Sequence, residues 1–197
     1  MDTPLLIIFT RNPVKGKVKT RLAASTNEDF ALNIYRKLRE RTRLAAFESG
    51  ADLAVYYTDY LPENDIFYGS RTQAFLQKGR DLGSRMLNAF IQGFSDSHQR
   101  IILVGTDCPG LTGELLSEAF ELLLHKSALL GPATDGGYYL IGMRSLLPEL
   151  FIGKQWSTSA VCREAIAVFK HHSVDYSLLP TLPDIDTIED LGNFNLS

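Results

Sequence analysis

Between Arg11 and Arg21 the chain carries Arg11, Lys15, Lys17, Lys19 and Arg21 and no acid. The chain as a whole has 20 Lys+Arg against 23 Asp+Glu and a net charge of −3. Positive charge gathered beside Gly16, in a loop with freed backbone N–H groups, is what a di- or triphosphate requires. Thr10, Arg11, Pro13, Gly16, Lys19 and Arg21 are therefore the candidate nucleotide-binding residues of this loop. A plain solvated loop is the simpler alternative, but the stretch directly follows the apolar run 5–9. Gly16-Lys17 precedes Val18, not Ser or Thr, so no Walker A sequence is present, and Gly-x-Gly-x-x-Gly is also absent. Those absences exclude a P-loop NTPase and a dinucleotide enzyme of the usual kind.

Carboxylates supply the complementary chemistry. Asp107, in Gly105-Thr106-Asp107-Cys108-Pro109, follows the apolar run 101–104 and can carry a hard divalent cation, Mg2+ or Mn2+. One aspartate holds such an ion poorly. A second ligand is expected from Asp184-Ile185-Asp186-Thr187, where either aspartate can serve. Asp135-Gly136-Gly137-Tyr138-Tyr139 reads as a hairpin turn. Its glycines also admit a ligand close to the backbone, and Asp135 suits sugar hydroxyls or general-base work. Gly83 and Ser84, at a helix start, suit a base or phosphate. Trp156, the sole tryptophan, suits ring stacking on a sugar or acceptor, or packing. Lys19, Arg21, Asp107 and Asp135 are the candidate catalytic groups. The cations Arg36, Lys37, Arg39, Arg41 and Arg43 read as a solvated helix face.

Positioning these groups requires an α/β sheet. Residues 5–9 and 101–104 are continuous apolar runs, the pattern of strands covered on both faces of a parallel sheet. Further strands are expected at 53–57, 74–77, 128–130, 138–143 and 174–179, with helices over about 82–94, 113–126 and 158–170. Another helix spans about 25–49, with Ser25 and Glu28 at capping-box spacing and Gly50 as its stop. Thr187 is placed to cap a short closing helix. Ligands of such sheets bind beyond the carboxyl ends of the strands, which is where the loops after Phe9 and Val104 lie.

Length and composition agree with one globular domain over residues 1–197: 45% of residues are hydrophobic and 22% charged. Two cysteines cannot form a disulfide framework or a Cys-rich zinc site. The start lacks a basic n-region, and no stretch approaches a membrane span of roughly 20 apolar residues. The expectation is a cytoplasmic protein that binds neither nucleic acid nor membrane, with room left for a homo-oligomer.

Pro13-x-x-Gly16-Lys17-Val18-Lys19-Thr20-Arg21-Leu22, Gly105-Thr106-Asp107-Cys108-Pro109, Asp135-Gly136-Gly137-Tyr138-Tyr139 and Asp184-x-Asp186-Thr187-x-Glu189-Asp190-Leu191 occur here in order. Together they resemble the bacterial DUF2064 group of radical-SAM/selenodomain-associated, glycosyltransferase-like proteins, over nearly the whole chain. That group is similar to sugar nucleotidyltransferases, molybdenum-cofactor guanylyl- and cytidylyltransferases and phospholactate guanylyltransferases. The resemblance implies a three-layer α/β/α GT-A fold, like that of nucleotide-diphospho-sugar transferases, with a mainly parallel mixed sheet. It also implies that Arg11, Gly16, Lys19 and Arg21 hold phosphates, that Asp107 and Asp186 hold Mg2+, and that Gly83 and Ser84 lie near the base. Asp107-Cys108-Pro109 stands where a glycosyltransferase has Asp-x-Asp, and the first loop lacks a Gly-x-Gly. The implied activity is a Mg2+-dependent transferase using a nucleotide or nucleotide-sugar donor and a small-molecule acceptor, foremost a glycosyltransferase. The alternatives are a nucleotidyltransferase that releases pyrophosphate and a catalytically silent nucleotide-binding domain.

Overall fold

The computed structural model describes residues 3–193. Strands β1 (Leu5–Thr10), β2 (Asp52–Tyr57), β3 (Thr72–Leu76), β4 (Ile101–Val104), β5 (Ala128–Pro132), β6 (Tyr138–Met143) and β7 (Tyr176–Leu178) form one sheet in the order β3-β2-β1-β4-β6-β5-β7. β1 pairs in parallel with both β2 and β4, and β6 alone runs antiparallel to its neighbours β4 and β5. The sheet is thus mixed and mainly parallel, as expected.

Side chains alternate across a strand, and both faces of β1 are apolar. Leu6 and Ile8 join Val55, Ile102 and Val104 under Ala45 and Ala46 of helix α2 (Glu28–Glu48) and under Leu116, Ala119 and Phe120 of α4 (Gly113–His125). Leu5, Ile7 and Phe9 join Leu103 and Ile141 under Met86, Ala89 and Phe90 of α3 (Leu82–Ser95) and under Ala165 and Phe169 of α5 (Val161–His171). The result is the three-layer α/β/α sandwich. No helix among the described residues is long and apolar enough to cross a membrane.

Three local expectations are corrected. Residues Thr20–Ser25 form a short helix, α1, so Ser25 ends one helix rather than capping the next. Asn27 caps α2 instead, its side chain accepting from the Phe30 N–H at 2.9 Å. Both residue types are good caps, but Ser25 is taken up in the last position of α1, whose Leu22 is buried. At the chain's end Thr187 does not act as the acceptor. Its hydroxyl donates to Asp190 Oδ2 at 3.0 Å, and that oxygen also accepts from the N–H groups of Asp186 and Thr187. The face of α2 is only partly solvated. Arg43 pairs with Glu40, but Arg39 is buried against Asp65, and Arg41 Nη1 donates to the Pro109 carbonyl at 3.4 Å.

Candidate functional site

The loop leaving β1 is shaped by its own residues. Pro13 lies at the centre of a three-residue turn closed by Val14 N–H to Asn12 O at 2.7 Å. The next turn is closed by Lys17 N–H to Val14 O at 3.0 Å, with Gly16 at φ +78°, a value suited to glycine at the third position of a type II turn. Val18 is buried against Leu32 and Tyr35 of α2. Lys17 therefore stays exposed while Lys19 turns inward.

Tyr35, which drew no notice in the sequence, ties this loop to the one after β4. Its hydroxyl accepts from the Arg11 N–H at 2.8 Å and lies 3.1 Å from the hydroxyls of both Thr10 and Thr106. Thr10 is buried and its hydroxyl also accepts from Arg39 Nε, so it holds the loop rather than facing a ligand. The buried Asn12 fastens the other side, donating to Tyr60 O and accepting from the Asp59 and Tyr60 N–H groups.

The carboxylates are set by Ile185. It is fully buried with Leu22, Ala31, Ile34 and Leu38, and its N–H donates to the Asp107 carbonyl at 3.0 Å. This fixes Asp184 and Asp186 beside the end of β4. Lys19 Nζ lies 2.5 Å from Asp107 Oδ1 and 3.1 Å from Asp186 Oδ1, and Arg21 Nη1 lies 3.7 Å from Asp186 Oδ2. Burial works against the Lys19 charge, but Asp107 and Asp186 more than offset it and raise its pKa above the ordinary value. Asp184 is the opposite case. Burial, then the charges of Asp107 and Asp135, push its carboxyl up to about 7. Cys108 is buried and its thiol is pushed up to about 12, chiefly by burial, which removes it as a nucleophile.

Asp184 gives a testable pH dependence. Between its ordinary value of 3.8 and about 7 the folded protein holds a proton there that the unfolded chain has released. Stability of the metal-free protein therefore falls as pH rises through that window. Asp184→Asn cannot ionise and should flatten this part of a urea-unfolding profile measured in EDTA, leaving the variant the more stable form at higher pH. A profile unchanged by the substitution contradicts the assignment.

A cavity of about 340 Å³ lies next to the basic loop, lined by Arg11, Asn12, Lys17, Thr58, Asp59 and Arg85. No local sequence pattern singles out Arg85. It stands one turn into α3, with Nε donating to the Gly79 carbonyl at 3.2 Å. A second cavity, of about 250 Å³, lies at the amino ends of β1, β2 and β3, against Leu5, Asp52 and Thr72. Parallel sheets bind ligands at the other edge, and the convergent cations lie there.

Gly83 and Ser84 are placed by packing and capping. A Cβ on Gly83 would sit 2.2 Å from the Phe151 carbonyl and 2.6 Å from Trp156 Nε1. Ser84 and Asp81 form a reciprocal capping box, with Ser84 N–H to Asp81 Oδ1 at 2.7 Å. Trp156 is half-buried, edge-on to Tyr138 at 6.5 Å. Asp135 is exposed in the β5–β6 turn and accepts from the Gly137 N–H at 2.8 Å. At Gly136, φ is +90° and a Cβ would meet the Ser159 carbonyl at 2.3 Å, so this turn is pressed against the start of α5.

Among the described residues no three His, Cys, Asp or Glu side chains gather closely enough to form an all-protein metal cage. The donor chemistry nonetheless fits Mg2+ or Mn2+. Mg2+ is commonly bound through one or two carboxylates together with substrate phosphates. Asp107 and Asp186 are both about half exposed, at 48% and 49%. Near them Asp184 experiences a surplus of negative charge.

Comparisons with known proteins agree with this architecture. A provisionally assigned nucleotide-diphospho-sugar transferase from Desulfovibrio desulfuricans G20 superposes with a TM-score of 0.90 at 33% identity, over 97% of this chain and 85% of that one. A cytidylyltransferase from Leptospira borgpetersenii matches at TM-score 0.58 and 18% identity, over 96% and 84%. The 4-diphosphocytidyl-2C-methyl-D-erythritol synthase of Anaerococcus prevotii matches at 0.61 and 8%, over 97% and 96%. The last two likenesses concern the fold alone. No curated protein matches the sequence. The family model described as uncharacterised proteins conserved in bacteria, DUF2064, matches residues 42–158. With that match and the 33% identical relative, the chain belongs to the DUF2064 family and has the GT-A, nucleotide-diphospho-sugar transferase-like fold.

Proposed function

We propose that this chain is a transferase using a nucleotide-activated donor with Mg2+ or Mn2+, and specifically a nucleotide-sugar glycosyltransferase. The observation that carries the reading is one loop serving two places. Arg11 and Lys17 line the 340 Å³ cavity, while Lys19 of the same loop reaches Asp107 and Asp186. A cavity of that size suits a small ligand. The relative from Desulfovibrio desulfuricans, at 33% identity, supports a nucleotide-sugar donor.

In this reading Arg11, Lys17 and Arg85 bind the donor phosphates, and Gly16 lets the loop backbone approach them. Asp107 and Asp186 would hold the divalent cation. The chemistry such a cation supplies when bound is neutralisation of charge building on a departing phosphate. Lys19 and Arg21 add positive charge beside that leaving group. Asp135, exposed on its turn, contacts the acceptor and takes the proton from the attacking hydroxyl at a carboxylate oxygen. The acceptor oxygen displaces a nucleoside diphosphate from the sugar's anomeric carbon.

A second reading has its own observation. Three cations, Arg11, Lys17 and Arg85, outnumber the single acid Asp59 on one cavity, a balance that accommodates a triphosphate as well as a diphosphate ester. Nucleotidyl transfer would couple a nucleoside triphosphate to a small phosphorylated acceptor. Incubating the full chain and Mg2+ with nucleotide sugars, or with nucleoside triphosphates and sugar phosphates, separates the two. Release of nucleoside diphosphate is the expected result, and release of pyrophosphate establishes the second reading. Ligand binding without either product would leave a silent nucleotide-binding domain.

A further inference from the structure

Lys19 occupies the place between Asp107 and Asp186 that their proposed metal ion would need. Its ammonium bonds one oxygen of each, and its side chain is only 4% exposed, although both aspartates are about half open to solvent. Reaching that place puts the Lys19 backbone in the left-handed region, at φ 47° and ψ 46°. Side chains other than glycine enter this conformation only against steric resistance. The anchors on either side hold it there, Val18 against Tyr35 and Leu22 against Ile185. Arg21 approaches the other Asp186 oxygen, so this carboxylate faces cations on both sides.

An ammonium bonded to one oxygen of each carboxylate repels a divalent cation placed between them, so the two compete for this position. A bare metal ion offers the displaced ammonium no new partner, and a buried ammonium without a partner is strongly disfavoured. A polyphosphate offers one, since Lys19 belongs to the same loop as Arg11 and Lys17. We propose that Lys19 is an internal counter-ion, holding Asp107 and Asp186 until a polyphosphate draws it away, so that the site admits a metal ion together with its phosphate donor and not alone. This rests on the reading of Asp107 and Asp186 as metal-binding carboxylates. It adds an order of binding and a gate against futile loading with metal.

The test is Mn2+ binding to the full chain without nucleotide, read by electron paramagnetic resonance of the free ion. Lys19→Met should bind Mn2+ at least tenfold more tightly than the unmodified chain, and adding Asp107→Asn should remove the gain. Equal affinity of Lys19→Met and the parent overturns the proposal. A measurement on the unmodified protein guards against a variant that fails to fold. The protected Lys19 ammonium, observed by 15N NMR, should stay unchanged with MgCl2 alone and shift when inorganic tripolyphosphate is added with it. Displacement by MgCl2 alone, or no shift with both present, also overturns it. Mn2+ binding in tripolyphosphate separates the two ideas. If Asp107→Asn abolishes that binding while Lys19→Met leaves metal-alone affinity unaltered, only the role of Lys19 fails. If Asp107→Asn has no effect there, the metal reading fails and the gate with it.

Discussion

Asp107→Asn is expected to lower turnover by about 10²–10³-fold, the scale of removing one preorganised electrostatic contact, about 2.7–4 kcal/mol, and to leave the fold intact. The two effects separate because different atoms of Asp107 do different things. Its carbonyl accepts the Ile185 N–H at 3.0 Å and so holds the segment bearing Asp184 and Asp186. Its side chain is half exposed and meets the Lys19 ammonium. The amide keeps the backbone contact and the shape but loses the charge that would hold a metal ion. One counter-ion, Asp186, remains for Lys19, so thermal stability should drop only modestly. Initial rates with the donor that turns over, set beside a melting curve, check both statements. Unaltered turnover would remove Asp107 from the chemistry, and a collapsed melting curve would make it a structural residue.

What could be read in the sequence divides along a physical line. β1 and β4 were legible because burial on both faces leaves continuous apolar runs, and strand-end loops of a parallel sheet are where ligands go. The basic loop and Asp107 followed from that placement, and the structure brings Lys19 to both Asp107 and Asp186 and Arg21 to Asp186. What stayed hidden depends on partners distant in the chain. Tyr35 is bonded to Thr106 across 71 positions, and no local pattern marks a helical tyrosine as the clasp of two loops. Arg39 looked like its neighbours on the helix because its partner Asp65 lies in a separate loop. Ile185 looked like a spacer between two aspartates, yet its burial sets where both carboxylates stand. In the sequence Gly83 suits a ligand by its place at a helix start, and Trp156 suits either stacking or packing. Their contact is a close approach of α3 to the segment before α5, which only the assembled layers create.

The largest expected loss of stability comes from Arg39→Met. Arg39 Nη2 and Asp65 Oδ2 lie 2.6 Å apart, with side chains only 4% and 5% exposed. The guanidinium also lies 5.2 Å from the centre of the Phe67 ring, and its Nε donates to Thr10. Methionine fills much of the same volume but leaves Asp65 as a buried charge without a counter-ion, a loss of about 3–5 kcal/mol. At roughly 2–4 °C per kcal/mol for a chain of this size, the melting temperature should fall by on the order of 6–20 °C. Adding Asp65→Asn should recover much of the loss. The amide oxygen can still accept the Phe67 N–H that Asp65 Oδ1 accepts at 3.1 Å, and the unpaired charge is gone. Urea unfolding of both single variants and the double variant measures this coupling directly. If Arg39→Met alone behaves like an ordinary surface substitution, water reaches the pair and the burial argument fails. Thr10 keeps its bond to Tyr35 without Arg39, so the loop after β1 should hold its course. The folded fraction should then turn over at close to the parent rate at low temperature. Arg39→Met would lose stability and keep the chemistry, the reverse of Asp107→Asn, and together the two variants separate the scaffold of the site from its reactive centre.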